Sequence, residues 1–162
     1  MALNFDIYDL FNFLKNEEYD KFEKSIDHII NNNLSLDDID LNVKDDDNNY
    51  LLNYIILANK HQILEKMFKI ENIKIDIFDS DNKNILFIPI KYNYKKVFKL
   101  LLDYNKKTIG ISICDLQDKD LKIPLHYAII LKNYDFIEDL LNNDSNTLFS
   151  DSNNYNSLHM LY

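Results

Sequence analysis

Arginine is absent from this chain. All 18 basic residues are lysine, set against 27 acidic ones, for a net charge of −9. Without arginine there is no guanidinium fork to read guanine edges. The lysines are scattered beside Asp and Glu and form no basic stripe that could displace counterions from phosphates. Nucleic acid is therefore not an expected partner, and the same charge disfavours an anionic membrane surface. There is one cysteine, Cys114. It excludes an intramolecular disulfide and suits a reducing compartment, with a small, half-buried apolar role expected for the thiol. A single glycine, Gly110, rules out phosphate-cradling loops and nucleophile elbows, which need several. No catalytic apparatus is visible, so neither an enzyme nor a cofactor is expected. The start, MALNFDIYDLFNFLKNEE, has no basic segment ahead of an apolar one and carries Asp6 and Asp9. No apolar run approaches the length of a membrane span. These absences point to a soluble, intracellular and cytoplasmic protein.

What the chain does have is apolar and repetitive. Hydrophobic residues make up 46%, including 11 Tyr and 10 Phe, which is enough for a core. Asn, Ile, Lys, Asp and Tyr dominate, as codons of a low-GC genome would dictate; an intracellular parasite, a symbiont or a large DNA virus would supply one. The stretch Asp118 to Leu141, DKDLKIPLHYAIILKNYDFIEDLL, recurs upstream without a gap. Asp79 to Leu102 reads DSDNKNILFIPIKYNYKKVFKLLL, and Asp45 to Phe68 reads DDDNNYLLNYIILANKHQILEKMF. Leu52, Leu86 and Leu125 correspond, as do the pairs Met67-Phe68, Leu101-Leu102 and Leu140-Leu141. A further copy starts at Asp151, where Leu158-His159 repeats Leu125-His126. From Asp45 to Asp79 is 34 residues, from Asp79 to Asp118 is 39, and from Asp118 to Asp151 is 33. A period near 33 means stacked supersecondary units, none of which can bury its apolar face alone.

The pattern resembles the ankyrin repeat. Asp118, Pro124, Leu125, His126, Ala128, Leu140 and Leu141 match its D-x-x-G-x-T-P-L-H-x-A core and closing leucine pair. The similarity covers about 45–162 and, more weakly, about 8–44. It implies an all-α ankyrin-repeat solenoid of helix-turn-helix units with short β-hairpin or loop tips. Its parts are a degenerate capping repeat at 1–44, repeats at 45–78, 79–117 (with an inserted loop) and 118–150, and a partial repeat at 151–162. The family places glycine at the hairpin tip and between the two helices. Here Asn48, Asn82, Leu121 and Asn154 stand at the tips, and Asn59, Asn93 and Lys132 stand between helices. Asn is the non-glycine residue that best tolerates positive φ, so the conformational demand is kept while the residue changes. Leu121 is the exception, and a distorted tip is expected there.

Near the start, Phe5, Leu10, Phe13 and Leu14 form one helical face, and Tyr19, Phe22, Ile26, Ile29 and Ile30 a second. First helices are expected just after Leu52, Leu86 and Leu125. Second helices are expected near 61–70, 95–104 and 134–143. Pro124 suits a first turn. Pro89 should weaken or kink its helix unless it too lies in the first turn. An insertion near Thr108 to Asp115, enclosing Gly110, predicts a longer loop.

Asp45-x-Asp47-x-Asn49 opens like a calcium loop, but Tyr50 and Ile56 stand where that loop needs Gly and a bidentate Glu. His28, His61, His126 and His159 are scattered without ligand spacing, so no metal is expected. His126 and His159 are the ankyrin-pattern histidines, expected to tie backbone at helix starts. Ile123 and Asn156 replace the assisting Thr.

The resemblance implies a protein partner on the face made by tips and first helices. The matching positions are Asp46, Asp47, Asn49, Lys83, Lys119 and Lys122 at the tips, and Leu57, Lys91, Tyr92, Ile130 and Leu131 on first helices. They outline a mixed groove with an acidic lip at its N-terminal end, suited to a basic or mixed segment of a partner. Ile130 and Leu131 could instead pack between repeats. The last repeat lacks a second helix, which implies either further repeats or self-association through that uncapped end. Two functions fit: a non-catalytic protein-interaction module, as an adaptor or host-factor binder acting in host cytoplasm if viral or parasitic; or an N-terminal targeting arm of a larger enzyme or ubiquitin-ligase adaptor.

Overall fold

The computed structural model describes residues 5–35, 37–108 and 112–161. The chain divides into two compact units, Met1–Lys74 and Ile75–Tyr162.

The first unit holds α1 (Ile7–Lys15), α2 (Tyr19–Asn31), α3 (Leu51–Leu57) and α4 (His61–Met67). Helices α1 and α3 pack side by side, α2 packs against α4, and each odd helix pairs with the even one that follows. Asp6 caps α1 by accepting the N–H of Asp9, whose own carboxylate takes the N–H of Asp6. The buried face of α1 is Leu10, Phe11 and Leu14 rather than the expected Phe5, Leu10, Phe13 and Leu14. Phe11 turns inward because its ring meets Tyr54 on α3 edge-on at 6.3 Å. Phe13 is half-buried under Lys21. The core of α2 is Phe22, Ser25, Ile26 and Ile29; Ser25 is tolerated inside because its hydroxyl donates to the Lys21 carbonyl at 3.1 Å.

The second unit holds α5 (Phe87–Tyr92), α6 (Lys95–Lys107), α7 (Pro124–Ile130) and α8 (Tyr134–Leu141), with 3₁₀ turns at Ile113–Asp115 and His159–Leu161. Here α5 packs on α7, and Phe98 of α6 meets Phe136 of α8 at 4.4 Å. Among the described residues the elements are all helical, with hairpin tips reduced to the single bridges Lys44–Tyr50, Phe78–Asn84 and Ser150–Asn156.

Three local expectations change. Pro89 falls in the first turn of α5, where its missing N–H has no intrahelical role. The cost is a late start: α5 begins at Phe87, two residues after the aligned position Ile85, whereas α7 begins on the aligned Pro124. The expected 95–104 helix runs on to Lys107, and the expected insertion begins just after it, at Thr108, and carries the 3₁₀ turn Ile113–Asp115. Gly110 lies outside the described residues. The other second helices are shorter than expected, ending at Met67 and Leu141.

Every first helix ends the same way. Glu17, Asn59, Asn93 and Lys132 have φ of 58°, 55°, 59° and 53°. The next residue's N–H reaches back to Phe13, Ile55, Pro89 and Ala128 at 2.7–3.0 Å, the 6→1 bond of a Schellman turn. Glu17 marks the same turn in the first unit, although its sequence gives no sign of it.

Candidate functional site

The tips are built by one aspartate each. Oδ1 of Asp45 accepts the N–H groups of Asp47 and Asn49, both at 3.0 Å. Oδ1 of Asp79 accepts those of Asp81 and Lys83, Oδ1 of Asp118 those of Asp120 and Lys122, and Oδ1 of Asp151 those of Asn153 and Tyr155, all at 2.9–3.0 Å. The fourth residue of each tip, Asn48, Asn82, Leu121 or Asn154, has φ between 57° and 63°. Leu121 keeps the left-handed φ, but its tip is the one of the four without the flanking bridge, in line with the distortion expected there. The two backbone bonds on Asp118 Oδ1 fix the turn and hold leucine in the left-handed region. In Asp45-x-Asp47-x-Asn49 the Oδ1 of the first aspartate is taken by two backbone donors.

Two tips carry a further pair of donors. Oδ2 of Asp118 accepts the hydroxyl of Tyr127 and the ammonium of Lys83, the latter at 2.8 Å. Oδ2 of Asp45 accepts the hydroxyl of Tyr54 at 2.6 Å and the ammonium of Lys15 at 2.8 Å. Lys122 reaches Asp151 at 3.4 Å. A lysine from the preceding element thus anchors the next tip in both units, supplied by α1 in one and by a tip in the other. Burial pushes the Asp118 carboxyl up, but the bonds from Lys83, Tyr127, Lys122 and Asp120 outweigh it and hold it below the usual carboxylate range. Asp45 is held down in the same way by Lys15, Tyr54 and Asn49. Burial and the neighbouring carboxylate push Tyr127 up to about 12. Asp79 has the backbone bonds but no ammonium pairs with it among the described residues; burial wins and its carboxyl is pushed up.

Behind the tips, polar side chains tie one repeat's helix start to the next linker. His126 is fully buried. Its Nδ1 accepts the N–H of Ile123 at 3.1 Å, so its Nε2 carries the proton donated to the Phe149 carbonyl at 3.0 Å. Burial pushes its pKa down, keeping it neutral. Asn84 does the same work one repeat earlier, donating to the aligned carbonyl of Leu116 at 3.0 Å. The linkers are tied alike: Asn42 accepts the N–H of Lys74, and Asp115 that of Asn146, each at 2.8 Å. His159 is exposed, with its Nδ1 on the N–H of Asn156 at 3.3 Å.

A comparison with known proteins decides what this repeating geometry is. The chain is 35% identical over 151 residues to an ankyrin repeat protein of Acanthamoeba polyphaga mimivirus. The match takes in 93% of this chain. The fold is an all-α ankyrin-repeat fold. The viral relative belongs to one of the source classes that the A/T-rich composition indicates. This chain spans 19% of that relative's length. No protein-family profile matches the chain, in keeping with its loss of both family glycines from each repeat.

The ankyrin surface positions separate into two groups. Lys83 and Lys122 are inward ties, with side chains 16% and 18% exposed and ammonium groups on Asp118 and Asp151. Asn49 is half-buried, its N–H held by Asp45. Asp46, Lys91 and Lys119 are exposed. Asp47 is exposed although it also takes Lys15 at 2.8 Å. Leu57, Tyr92, Ile130 and Leu131 remain 46–53% exposed, so the last two are not fully packed between repeats. In the second unit Lys91 lies 5.0 Å over the Tyr92 ring and 5.8 Å over Phe87, whose ring meets Tyr127 at 4.7 Å. Tyr92 stacks on Tyr94 at 5.7 Å.

Cys114 is fully buried rather than half-buried, and burial pushes its thiol up to about 11, so the thiolate is scarce. Among the described residues no cluster of three or more His, Cys, Asp or Glu is placed to hold a metal. Among them, too, no helix is long and apolar enough to cross a membrane.

Sequence reasoning missed the roles of Lys15, Tyr54, Asn84 and Tyr127. The recurrence of Tyr54 and Tyr127 at aligned positions, nine residues after Asp45 and Asp118, was the available signal.

Proposed function

We propose that this chain is a non-catalytic interaction module that binds a protein partner through its tips and first helices. Ankyrin repeats in general bind proteins. The observation that carries the reading here lies in the second unit. Helices α5 and α7 end in half-exposed apolar side chains at corresponding positions, Tyr92 and Leu131, with Ile130 beside Leu131 and Lys91 beside Tyr92. Half-exposed aromatic and aliphatic groups on neighbouring helices, framed by charge, are the composition of protein contact sites. The fold's own needs do not explain them, since the buried faces of α5 and α7 are already supplied by Ile90, Leu125, Tyr127, Ala128 and Ile129.

The proposed repeat units are 45–78, 79–117 and 118–150, with a capping repeat at 1–44 and a partial one at 151–162. The proposed setting is the cytoplasm, with an adaptor or host-factor role. A second reading, in which such a segment is the targeting arm of a larger enzyme or ubiquitin-ligase adaptor, is favoured by the much greater length of the viral relative. The reading frame beyond Tyr162 separates the two.

The test is parallel affinity capture with the wild-type chain and the Tyr92→Ser/Leu131→Ser double variant. A protein retained by the first and lost by the second, with unfolding midpoints matched, supports this face. Equal retention by both rules it out.

A further inference from the structure

The first unit carries a groove of about 440 Å³. Leu14, Tyr54 and Leu57 give it apolar walls, and Lys15, Glu17 and Asp47 line it with charge. An adjoining depression of about 360 Å³ shares Glu17 and adds Glu18 and Asp20. The lysines of this region are already engaged. Lys15 is held by Asp45 and Asp47 at 2.8 Å, Lys21 by Glu18 at 2.7 Å, and Lys60 sits 4.2 Å over the ring of Tyr19. Glu17, Asp20 and Asp46 are exposed and take part in no ion pair among the described residues. The result is a concave site with a half-exposed leucine, a tyrosine wall and unneutralised carboxylates beside it.

We propose that this groove binds a short segment of a partner protein in which an aliphatic or aromatic residue lies next to lysine or arginine. The apolar side chain would cover Leu57 and Tyr54, and the cation would satisfy Glu17 and Asp20 in the adjoining depression. Charge complementarity selects this occupant. An acidic or phosphorylated peptide meets only like charge and committed lysines. A second copy of this chain, at net −9 and without arginine, brings the wrong sign. The inference rests on the interaction-module reading and adds to it the chemistry of one segment and its place in the first unit.

The test starts from a displayed random peptide library selected on the wild-type chain, with the enriched peptides synthesised and titrated. Sequences pairing basic with apolar residues are expected. Their binding should weaken about tenfold with Leu57→Ser, as for an interface anchor. It should weaken similarly with the Glu17→Lys/Asp20→Lys pair, and stay unchanged with Tyr92→Ser/Leu131→Ser. The charge-reversed side chains are exposed, so that variant keeps the test intact if Leu57→Ser melts early. Enrichment of acidic or uncharged peptides, no enrichment at all, or affinity indifferent to both first-unit variants would overturn the proposal. Loss confined to the Tyr92/Leu131 variant would overturn it while leaving the interaction-module reading in place.

Discussion

Lys83 and Asp118 meet at 2.8 Å across the gap between consecutive tips, with the lysine side chain 16% exposed and the carboxylate wholly covered. Asp79, an aligned aspartate with the same two backbone bonds, is pushed up by burial instead of held down by a cation. The two aspartates should therefore respond oppositely to neutralisation. Asp118→Asn takes away the buried counter-charge of Lys83, leaving only the exposed Asp120 carboxylate at 3.2 Å, and should cost about 3 kcal/mol, the scale of breaking a buried pair. Asp79→Asn keeps an oxygen for the turn and removes an uncompensated charge, so stability should hold or rise. Urea unfolding of both variants checks this; equal losses would contradict it.

The left-handed residues give a second prediction. Leu121 and Lys132 adopt φ of 57° and 53°, a region that costs a residue with a Cβ about 1–2 kcal/mol. Both side chains are exposed, so little packing is lost on truncation. Leu121→Gly and Lys132→Gly should each stabilise the chain by about 0.5–1 kcal/mol after the extra entropy of unfolded glycine is counted. Asn48→Gly should gain less, because asparagine already tolerates the conformation. Denaturant midpoints for the three variants give the comparison.

His126 sets a pH window. Its folded pKa is depressed by burial, and its unfolded value is about 6.5. The unfolded chain therefore binds more protons below that value, so stability is full above about pH 6.5 and is lost as pH falls through the folded pKa. Asp45, Asp118 and Asp151 are also depressed, but their contribution goes only below about pH 3.9, in a separate window. A His126→Gln variant should be less stable at pH 7.5 and show a flatter dependence between pH 7 and pH 5. An unchanged slope would show that the imidazole does not titrate with unfolding.

Phe11 and Phe13 offer a third contrast. Phe11→Ala should cost about 3 kcal/mol as a buried aromatic truncation, and Phe13→Ala about 1 kcal/mol or less. The pair also shows where sequence reading reaches its limit. Leu10 and Leu14 fit a stripe through either phenylalanine, and only the contact of Phe11 with Tyr54 on α3 decides between them. Repeats were legible because the tip aspartate, the left-handed position and the paired apolar residues recur in register. The length of α6 was not, since nothing in KKVFKLLLDYNKK stops a helix and the first breaker is Gly110. The left-handed φ at Leu121 was hidden because the Asp118 grip outweighs leucine's preference, although that tip loses its flanking bridge. Lys83 read as surface from its place in the tip; its reach to the next tip is a tertiary contact that alignment within one repeat does not contain.

The function turns on whether a protein partner sits on the first helices. The most direct measurement is a titration of a captured partner against three forms of the chain: wild type, Tyr92→Ser/Leu131→Ser, and a control altered on the exposed face of α6 at Lys96 and Lys99. The first-helix variant is expected to bind about tenfold or more weakly, as loss of interface anchors dictates, and the α6 control to match wild type. Undiminished binding by the Tyr92/Leu131 variant, with loss instead in the α6 control, would contradict that placement of the partner.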